Sequence, residues 1–151
     1  MAKVSPMSSV VLNPRARRGN AAIEFALLLP VVIVMFGSII DLSLFLTRAH
    51  IVQRAARDAA RVGSATLEGG TSATGDDIEA AATAQATEAL LQAGIPCEDG
   101  CTITSEWQDI EGVMVITVNV NYPFYPLTSV LSSALPSNVE AEFTMMTQQQ
   151  D

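Results

Sequence analysis

The sequence contains no lysine or arginine after Arg61. All 8 basic residues lie at or before Arg61, whereas thirteen of the 16 acidic residues lie after it. Nucleic-acid binding depends on lysine and arginine side chains that neutralise phosphate groups. Because the distal part of the chain would repel a phosphate backbone, we expect no nucleic acid among the partners of this protein.

Histidine and cysteine are also scarce. His50 is the only histidine, and Cys97 and Cys101 are the only cysteines. A catalytic triad would have to use His50, which lies in an alanine-rich stretch with no nucleophile motif beside it. Two thiolates are too few for a structural zinc site. The sequence therefore predicts a protein that is not an enzyme and holds no metal or cofactor.

Charged residues are absent from Phe25 to Ile40, and the apolar character continues to Leu46. About 20 apolar residues are enough to cross the hydrocarbon core of a bilayer. Basic residues favour the cytoplasmic side of a membrane, and three arginines lie shortly before the apolar run: Arg15, Arg17 and Arg18. We therefore expect one transmembrane helix with the N-terminus in the cytoplasm and the acidic domain on the opposite side.

Composition along the chain divides it into four parts. A basic leader is punctuated by serine, proline and asparagine, and Pro14 is expected to interrupt any helix there. A long helical pattern follows, then a stretch rich in glycine, serine and threonine, and then an acidic domain whose first helix starts at about Asp76. The predicted boundaries are 1–19 for the leader, 20–62 for the transmembrane and stalk helix, 63–75 for the linker and 76–151 for the acidic domain.

The acidic domain ends in segments enriched in β-branched and aromatic residues. Three strands are predicted, at Thr102–Gln108, Val113–Tyr122 and Val139–Thr147, with a hairpin turn at Asp109–Gly112 and a short helix at Leu127–Leu135. The second strand alternates so that one face is entirely apolar: Met114, Ile116, Val118, Val120 and Tyr122. The expected fold is α+β: a long N-terminal transmembrane helix that extends into a small domain with a second helix and about three antiparallel strands.

The start of the apolar run contains the most informative motif. Arg17-Arg18-Gly19-Asn20-Ala21-Ala22-Ile23-Glu24-Phe25 resembles a type IV prepilin signal, in which a basic leader ends in glycine and glutamate is the fifth residue after cleavage. A carboxylate near the start of a membrane helix requires a cationic partner. Cleavage after Gly19 would give Asn20 a positive amine four residues from Glu24. Alternatively, Glu24 lies at the membrane interface beside the arginines and favours the start of a helix.

From about Arg17 to Gly63 the chain resembles the TadE-like family, pseudopilin-type proteins of the tight-adherence (Flp) pilus machinery. The resemblance is carried by Gly19-Asn20-Ala21-Ala22-Ile23-Glu24-Phe25-Ala26-Leu27-Leu28-Leu29-Pro30 and by Ala55-Ala56-Arg57-Asp58-Ala59-Ala60-Arg61-Val62-Gly63. It implies cleavage by a prepilin peptidase, a bacterial inner-membrane location, a periplasmic C-terminal domain and pilin-like or pilus-assembly partners that contact the transmembrane helix. It leaves open whether the protein stays in the membrane or enters the filament.

Three functions are compatible with these patterns. The first is a minor pilin or pseudopilin that takes part in assembly of a tight-adherence, type IV-like pilus after peptidase cleavage. The second is an unprocessed single-pass scaffold of a pilus or secretion apparatus. The third, a membrane-tethered periplasmic enzyme, has no recognisable constellation of catalytic residues in the sequence.

Two further sites have alternative interpretations. We expect Asp41 to lie at the far membrane interface, about 31 Å along the helix from Asn20; the alternative is a buried pair with a partner helix. Cys97 and Cys101 are expected to close a small disulfide loop in an oxidising compartment, with metal binding as the alternative.

Overall fold

The computed structural model describes residues 14–68, 74–111, 113–128, 132 and 134–148. These residues form two helices followed by three strands, which confirms the predicted α+β fold class. The elements are α1 (Pro14–Glu68), α2 (Gly75–Gln92), β1 (Thr102–Ile110), β2 (Val113–Pro123) and β3 (Asn138–Gln148). The chain divides into two units, residues 1–36 and residues 37–151.

Helix α1 starts earlier than the sequence predicts. Pro14, expected to interrupt a helix, is its first residue, and the helix passes through Gly19 and Asn20. Proline suits the first turn because an N–H at that position has no partner within the helix. Residues 1–13 of the predicted leader lie outside the described part of the chain.

From Phe25 to Phe36 the first unit is an apolar helical surface. Every residue from Ala21 to Phe36 is exposed, including Pro30 within the helix. Among the described residues, one segment, Ala21–Thr66, is long and apolar enough to cross a membrane, and its most apolar stretch is unburied. Apolar exposure of this extent indicates a surface that lipid or other apolar helices cover.

The second unit has a core in which α1 contributes mainly small side chains. Its buried residues come from α1, from α2, from the strands and from the chain after β2: Val52, Ala55, Ala56, Ala59, Ala60, Ile78, Ala82, Ala86, Leu90, Ile116, Val118, Val120, Phe124, Val139 and Ala141. Alanine at four core positions of α1 leaves room for larger side chains of α2 and β2. The stalk part of α1 is therefore a structural element of the acidic domain.

The sheet is antiparallel with the order β1-β2-β3. Ile116 of β2 lies opposite Trp107 of β1 and Met145 of β3. On β2 the predicted apolar face is confirmed, since Ile116, Val118 and Val120 are buried and its two end residues are half-buried. Burial of one face of the central strand specifies the register, because a slip of one residue would expose that face.

The connections differ from prediction in two places. Helix α1 continues to Glu68 and includes the first six residues of the predicted linker. It does so because Gly63 and Ser64 are buried, with the Ser64 hydroxyl 2.9 Å from the Arg61 carbonyl and 3.2 Å from the Met145 sulfur. Residues 69–73 of that linker lie outside the described residues.

The second difference concerns the predicted helix Leu127–Leu135. Leu127 and Thr128 form a bend, and residues 129–131 and 133 lie outside the described part of the chain. The predicted hairpin turn is shorter than expected, because β1 ends at Ile110 and β2 begins at Val113. Glu111 in this turn has a φ of 57°, in the left-handed region. Gly112 lies outside the described residues.

Candidate functional site

The predicted processing residues lie near the start of α1. Gly19 and Asn20 belong to its helical backbone, and Glu24 and Phe25 are exposed on the following turn. A separation of four residues corresponds to about 6 Å along a helix and places Asn20 and Glu24 on the same side. The backbone therefore permits an amine on Asn20 to approach the Glu24 carboxylate of the same chain or of a neighbouring helix.

The predicted basic residues of the leader lie in the same helix. Arg15, Arg17 and Arg18 fall within its first five residues. Phe25, which follows the glutamate, is 66% exposed. Together these positions form a helix that changes within about ten residues from a basic start to an entirely apolar surface.

A second cluster of polar contacts surrounds Asp41, which is fully buried in the second unit. Its carboxylate accepts the backbone N–H of Leu127 at 2.8 Å and that of Thr128 at 3.1 Å. It also accepts a hydrogen bond from the hydroxyl of Thr128. Three donors therefore satisfy a carboxylate that lies among apolar residues of α1, as a buried charge requires.

The residues that contact Asp41 belong to a segment that follows one face of α1. We call residues 122–128 the strap. Phe124 makes an edge-to-face contact with Phe45, with ring centroids 5.2 Å apart. The Arg48 guanidinium lies 5.8 Å from the ring centres of Tyr122 and Phe124.

The strap ends beside Gly37. A β-carbon added to Gly37 would lie 3.1 Å from the Thr128 methyl group, so the glycine allows close approach there. From Tyr122 to Thr128 the strap thus passes from the level of Arg48 to the level of Gly37 and Asp41. Positions 37, 41, 45 and 48 have the spacing of one helix face.

The structure gives Asp41 partners within its own chain that neither expectation included, and its place at the far membrane interface stays a prediction. The carboxylate is buried by the chain's own strap. A sequence signal for this contact does exist, because a carboxylate within an apolar run is tolerated only with polar partners. This pattern does not indicate which residues are the partners, and they lie 86 and 87 residues further along the chain.

Cys97 and Cys101 are at disulfide distance, with Cα atoms 5.3 Å apart. They lie between α2 and β1, and Gly100 between them has a φ of 86°. The left-handed backbone at this glycine allows the short loop to turn. Among the described residues, no group of three or more histidine, cysteine, aspartate or glutamate side chains is placed to hold a metal ion.

An open acidic groove of about 1040 Å³ lies between α2 and β1. Asp76, Glu79, Glu88 and Glu106 are among the residues that line it. Glu79 also has a structural role, because its carboxylate accepts the backbone N–H of Trp107 at 3.2 Å. The Ser105 hydroxyl lies 3.0 Å from the Glu79 carbonyl. Helix α2 thereby covers part of the free edge of β1.

Comparison with known proteins gives one family match. Residues 19–61 match the family model described as TadE-like protein, which confirms the resemblance over the segment that contains Glu24 and most of the stalk helix. The match begins at Gly19, the residue before the predicted cleavage point. No curated protein and no solved structure matches the chain.

Proposed function

We propose that this protein is a pseudopilin-type component of a tight-adherence pilus apparatus. In this role it is a non-catalytic, single-pass protein of the bacterial inner membrane, with a cytoplasmic N-terminus and a periplasmic acidic domain. A prepilin peptidase cleaves it after Gly19. The processed chain then contributes to pilus assembly as a minor pilin or pseudopilin through its apolar helix.

One observation carries the proposal: the spacing of Gly19, Asn20 and Glu24 at the start of an exposed apolar helix that matches the TadE-like family model. Cleavage after Gly19 removes the basic residues and creates a positive amine on Asn20. That amine lies one helical turn from Glu24, where it offsets the unfavourable transfer of a carboxylate into lipid. Pairing with Glu24 of a neighbouring chain would set the axial position of one helix against the next.

The acidic domain supports a role beyond that of a short filament subunit. Its core includes the part of α1 from Val52 to Ala60, so the domain and the stalk helix form one packed unit. The apolar surface of α1 before Asp41 remains available for lipid or for neighbouring helices. The Cys97–Cys101 pair is suited to an oxidising compartment such as the periplasm.

A second candidate function is the unprocessed membrane scaffold. The observation that favours it is the helical backbone from Pro14 through Asn20, because a protease binds its substrate in an opened conformation. Gly19 is the sixth residue of α1, and the ends of helices open at low free-energy cost. Glycine lowers that cost further, since it destabilises a helix by about 0.5–1 kcal/mol relative to alanine.

The experiment that separates the two is determination of the N-terminus and intact mass of the protein purified from its native membranes. A native host supplies the matching peptidase. We expect a chain that begins at Asn20. A Gly19→Arg variant, in which a large charged side chain occupies the cleavage point, serves as the uncleaved control.

Either result has a defined meaning. A mature N-terminus at Asn20 that is lost in the Gly19→Arg variant supports processing. An intact leader in a host whose peptidase cleaves another prepilin contradicts it and favours the unprocessed scaffold. In that case Glu24 would be a residue of the membrane interface at the start of the helix.

A further inference from the structure

The surface of α1 changes from apolar to polar after Leu46. Before this point the exposed large side chains of the second unit are apolar: Ile39, Ile40, Leu42, Leu44 and Leu46. From Thr47 to Arg61 every exposed residue of α1 is polar, and four of them are His50, Arg54, Arg57 and Arg61. A change of this kind marks the level at which a membrane helix leaves the apolar part of a bilayer.

The strap extends beyond the level of Leu46 toward the apolar part of α1. It contacts Asp41 and Gly37, which precede Leu46 by five and nine residues. With a rise of 1.5 Å per residue, the end of the strap lies about 8–14 Å below Leu46 along the helix. Structures that lie in the membrane interface bury their apolar side chains about 5–10 Å into the headgroup and acyl boundary.

The exposed side chains of the strap fit that environment. Tyr125 is 76% exposed and Leu127 is 74% exposed, although both are large and apolar or amphipathic. Tyrosine is enriched where membranes meet water. Arg48, which lies over the rings of Tyr122 and Phe124, stands at the upper end of the strap, where its guanidinium can meet lipid phosphate.

Two backbone N–H groups and one hydroxyl at the end of the strap have a partner at the same depth. Within a bilayer, a backbone N–H without a partner is unfavourable, and irregular backbone requires partners from the protein. The Asp41 carboxylate provides them for the N–H groups of Leu127 and Thr128. In return, these donors satisfy a carboxylate that would otherwise face lipid.

We propose that the strap is a membrane-inserted loop, with Tyr125 and Leu127 in contact with lipid at the periplasmic boundary of the bilayer. Asp41 and the strap form a self-contained polar pair that allows this insertion. The inference rests on the proposed membrane insertion of α1. Its consequence is that the domain is attached to the lipid surface by two elements, the helix and the strap, which restricts rotation of the domain about the helix axis.

The test measures depth with single tryptophans in vesicles. Trp107 is the only tryptophan and is replaced by phenylalanine, which keeps an aromatic ring beside Gly75. Into this full-length background we introduce Leu127→Trp, Phe36→Trp or Leu91→Trp. Phe36 lies in the charge-free run, and Leu91, 62% exposed on α2, is the matched control outside the strap. The purified proteins are reconstituted into phosphatidylcholine–phosphatidylglycerol vesicles with or without brominated acyl chains, which quench tryptophan emission on contact.

We expect the bromines to quench Leu127→Trp and Phe36→Trp and to leave Leu91→Trp unchanged. Quenching of Phe36→Trp without quenching of Leu127→Trp would overturn the strap proposal and leave the membrane helix intact. Absence of quenching at both positions would overturn membrane insertion and the strap proposal together. Tyr125→Trp is a second reporter of the strap. If the Trp107→Phe variant does not fold, the reporters are placed in the chain that keeps Trp107, and the emission of Trp107 alone is subtracted.

Discussion

Asp41 and Thr128 are joined by two kinds of hydrogen bond across 87 residues of sequence. The carboxylate accepts both the backbone N–H and the hydroxyl of Thr128. This pair holds the strap against α1 at the level of Gly37. With the Leu127 N–H bond to Asp41 and the Phe45–Phe124 ring contact, it connects the chain after β2 with the apolar part of the first helix.

Asp41→Asn is expected to loosen the strap. Asparagine replaces one acceptor oxygen with an NH2 group, so the two N–H groups must share the single remaining oxygen and the Thr128 hydroxyl can no longer donate to the side chain, which weakens the contact. In detergent micelles, the amides of Leu127 and Thr128 should exchange hydrogen roughly tenfold faster or more. Hydrogen-exchange mass spectrometry of the full chain measures this, with the β2 amides as internal reference. Thr128→Ser, which keeps the hydroxyl, is the conservative control; equal strap exchange in the wild type and in Asp41→Asn would refute the role of the carboxylate.

Glu24→Ala is expected to impair pilus assembly in the native host while membrane insertion is retained. The apolar run that drives insertion is unchanged, whereas the carboxylate that pairs with the Asn20 amine is lost. Pilus counts by electron microscopy and membrane fractionation are the two measurements. Glu24→Asp keeps the charge and should retain part of the function, and Gly19→Ala should be milder than Glu24→Ala. Normal piliation with Glu24→Ala would contradict the proposed pairing.

Gly63→Ala is expected to destabilise the domain. The added β-carbon would collide with the side chain of Ile116 and lie 3.3 Å from the β-carbon of Ala82. Overpacking costs about 1–3 kcal/mol and the helix gains about 0.5–1 kcal/mol from alanine, so a net loss of up to about 2.5 kcal/mol follows. Urea unfolding followed by Trp107 fluorescence measures it. In an Ile116→Val background, which lacks the colliding methyl group, the same change should be neutral or stabilising; an equal loss in both backgrounds would exclude this contact as the cause.

The Cys97–Cys101 pair is expected to stabilise the domain as a disulfide. Closure of so short a loop contributes about 2 kcal/mol in the chain-entropy account. Reductant should therefore lower the unfolding midpoint of the wild type and have no effect on the Cys97→Ser, Cys101→Ser double variant. Protein isolated from native membranes without reductant should show no free thiol by mass spectrometry. A wild type that carries two free thiols would contradict the pairing.

The start of α2 is expected to depend on pH through Asp77. Hydrogen bonds from the Thr74 hydroxyl at 2.7 Å and the Thr74 backbone N–H at 3.0 Å hold the pKa of this carboxyl below its ordinary value of 3.8. A lowered folded-state pKa means that the stabilisation is present above pH 3.8 and is lost as the pH falls through the folded-state pKa. Acid titration of helix α2 by NMR of the Ile78 and Glu79 amides measures this. Asp77→Asn should remove the acid-dependent change at these amides, and a titration unchanged by this variant would argue against the role of the Asp77 carboxylate.

The predicted elements were most accurate where the signal is local. The alternation of residues 113–122 predicted β2 and its buried face, because a strand with one covered face requires apolar residues at every second position. The apolar run predicted the exposed helix, since its period and length depend only on neighbouring residues. The start of α2 was predicted to within one residue from Asp76 and Asp77, which suit a first helical turn.

The errors have a different origin. The sequence predicts a linker from Gly63 because the stretch is rich in glycine, serine and threonine, yet Gly63 belongs to α1 and allows it to pass closely beside Ile116. The sequence predicts that Pro14 interrupts a helix, yet Pro14 occupies the first turn of α1. In both cases the residue has two compatible roles, and its neighbours in space or its exact place in the helix decide between them.

By itself, the sequence determined the apolar span, the order of helices and strands, the basic leader before the processing motif and the resemblance at residues 19–61. These depend on residue order, which is complete in the sequence. Only the tertiary structure decided that Asp41 is buried and that the strap descends along α1 to reach it. A carboxylate in an apolar run requires donors, but which of the many later N–H groups provides them depends on the packing of β2 against α1, a relationship that local patterns do not contain.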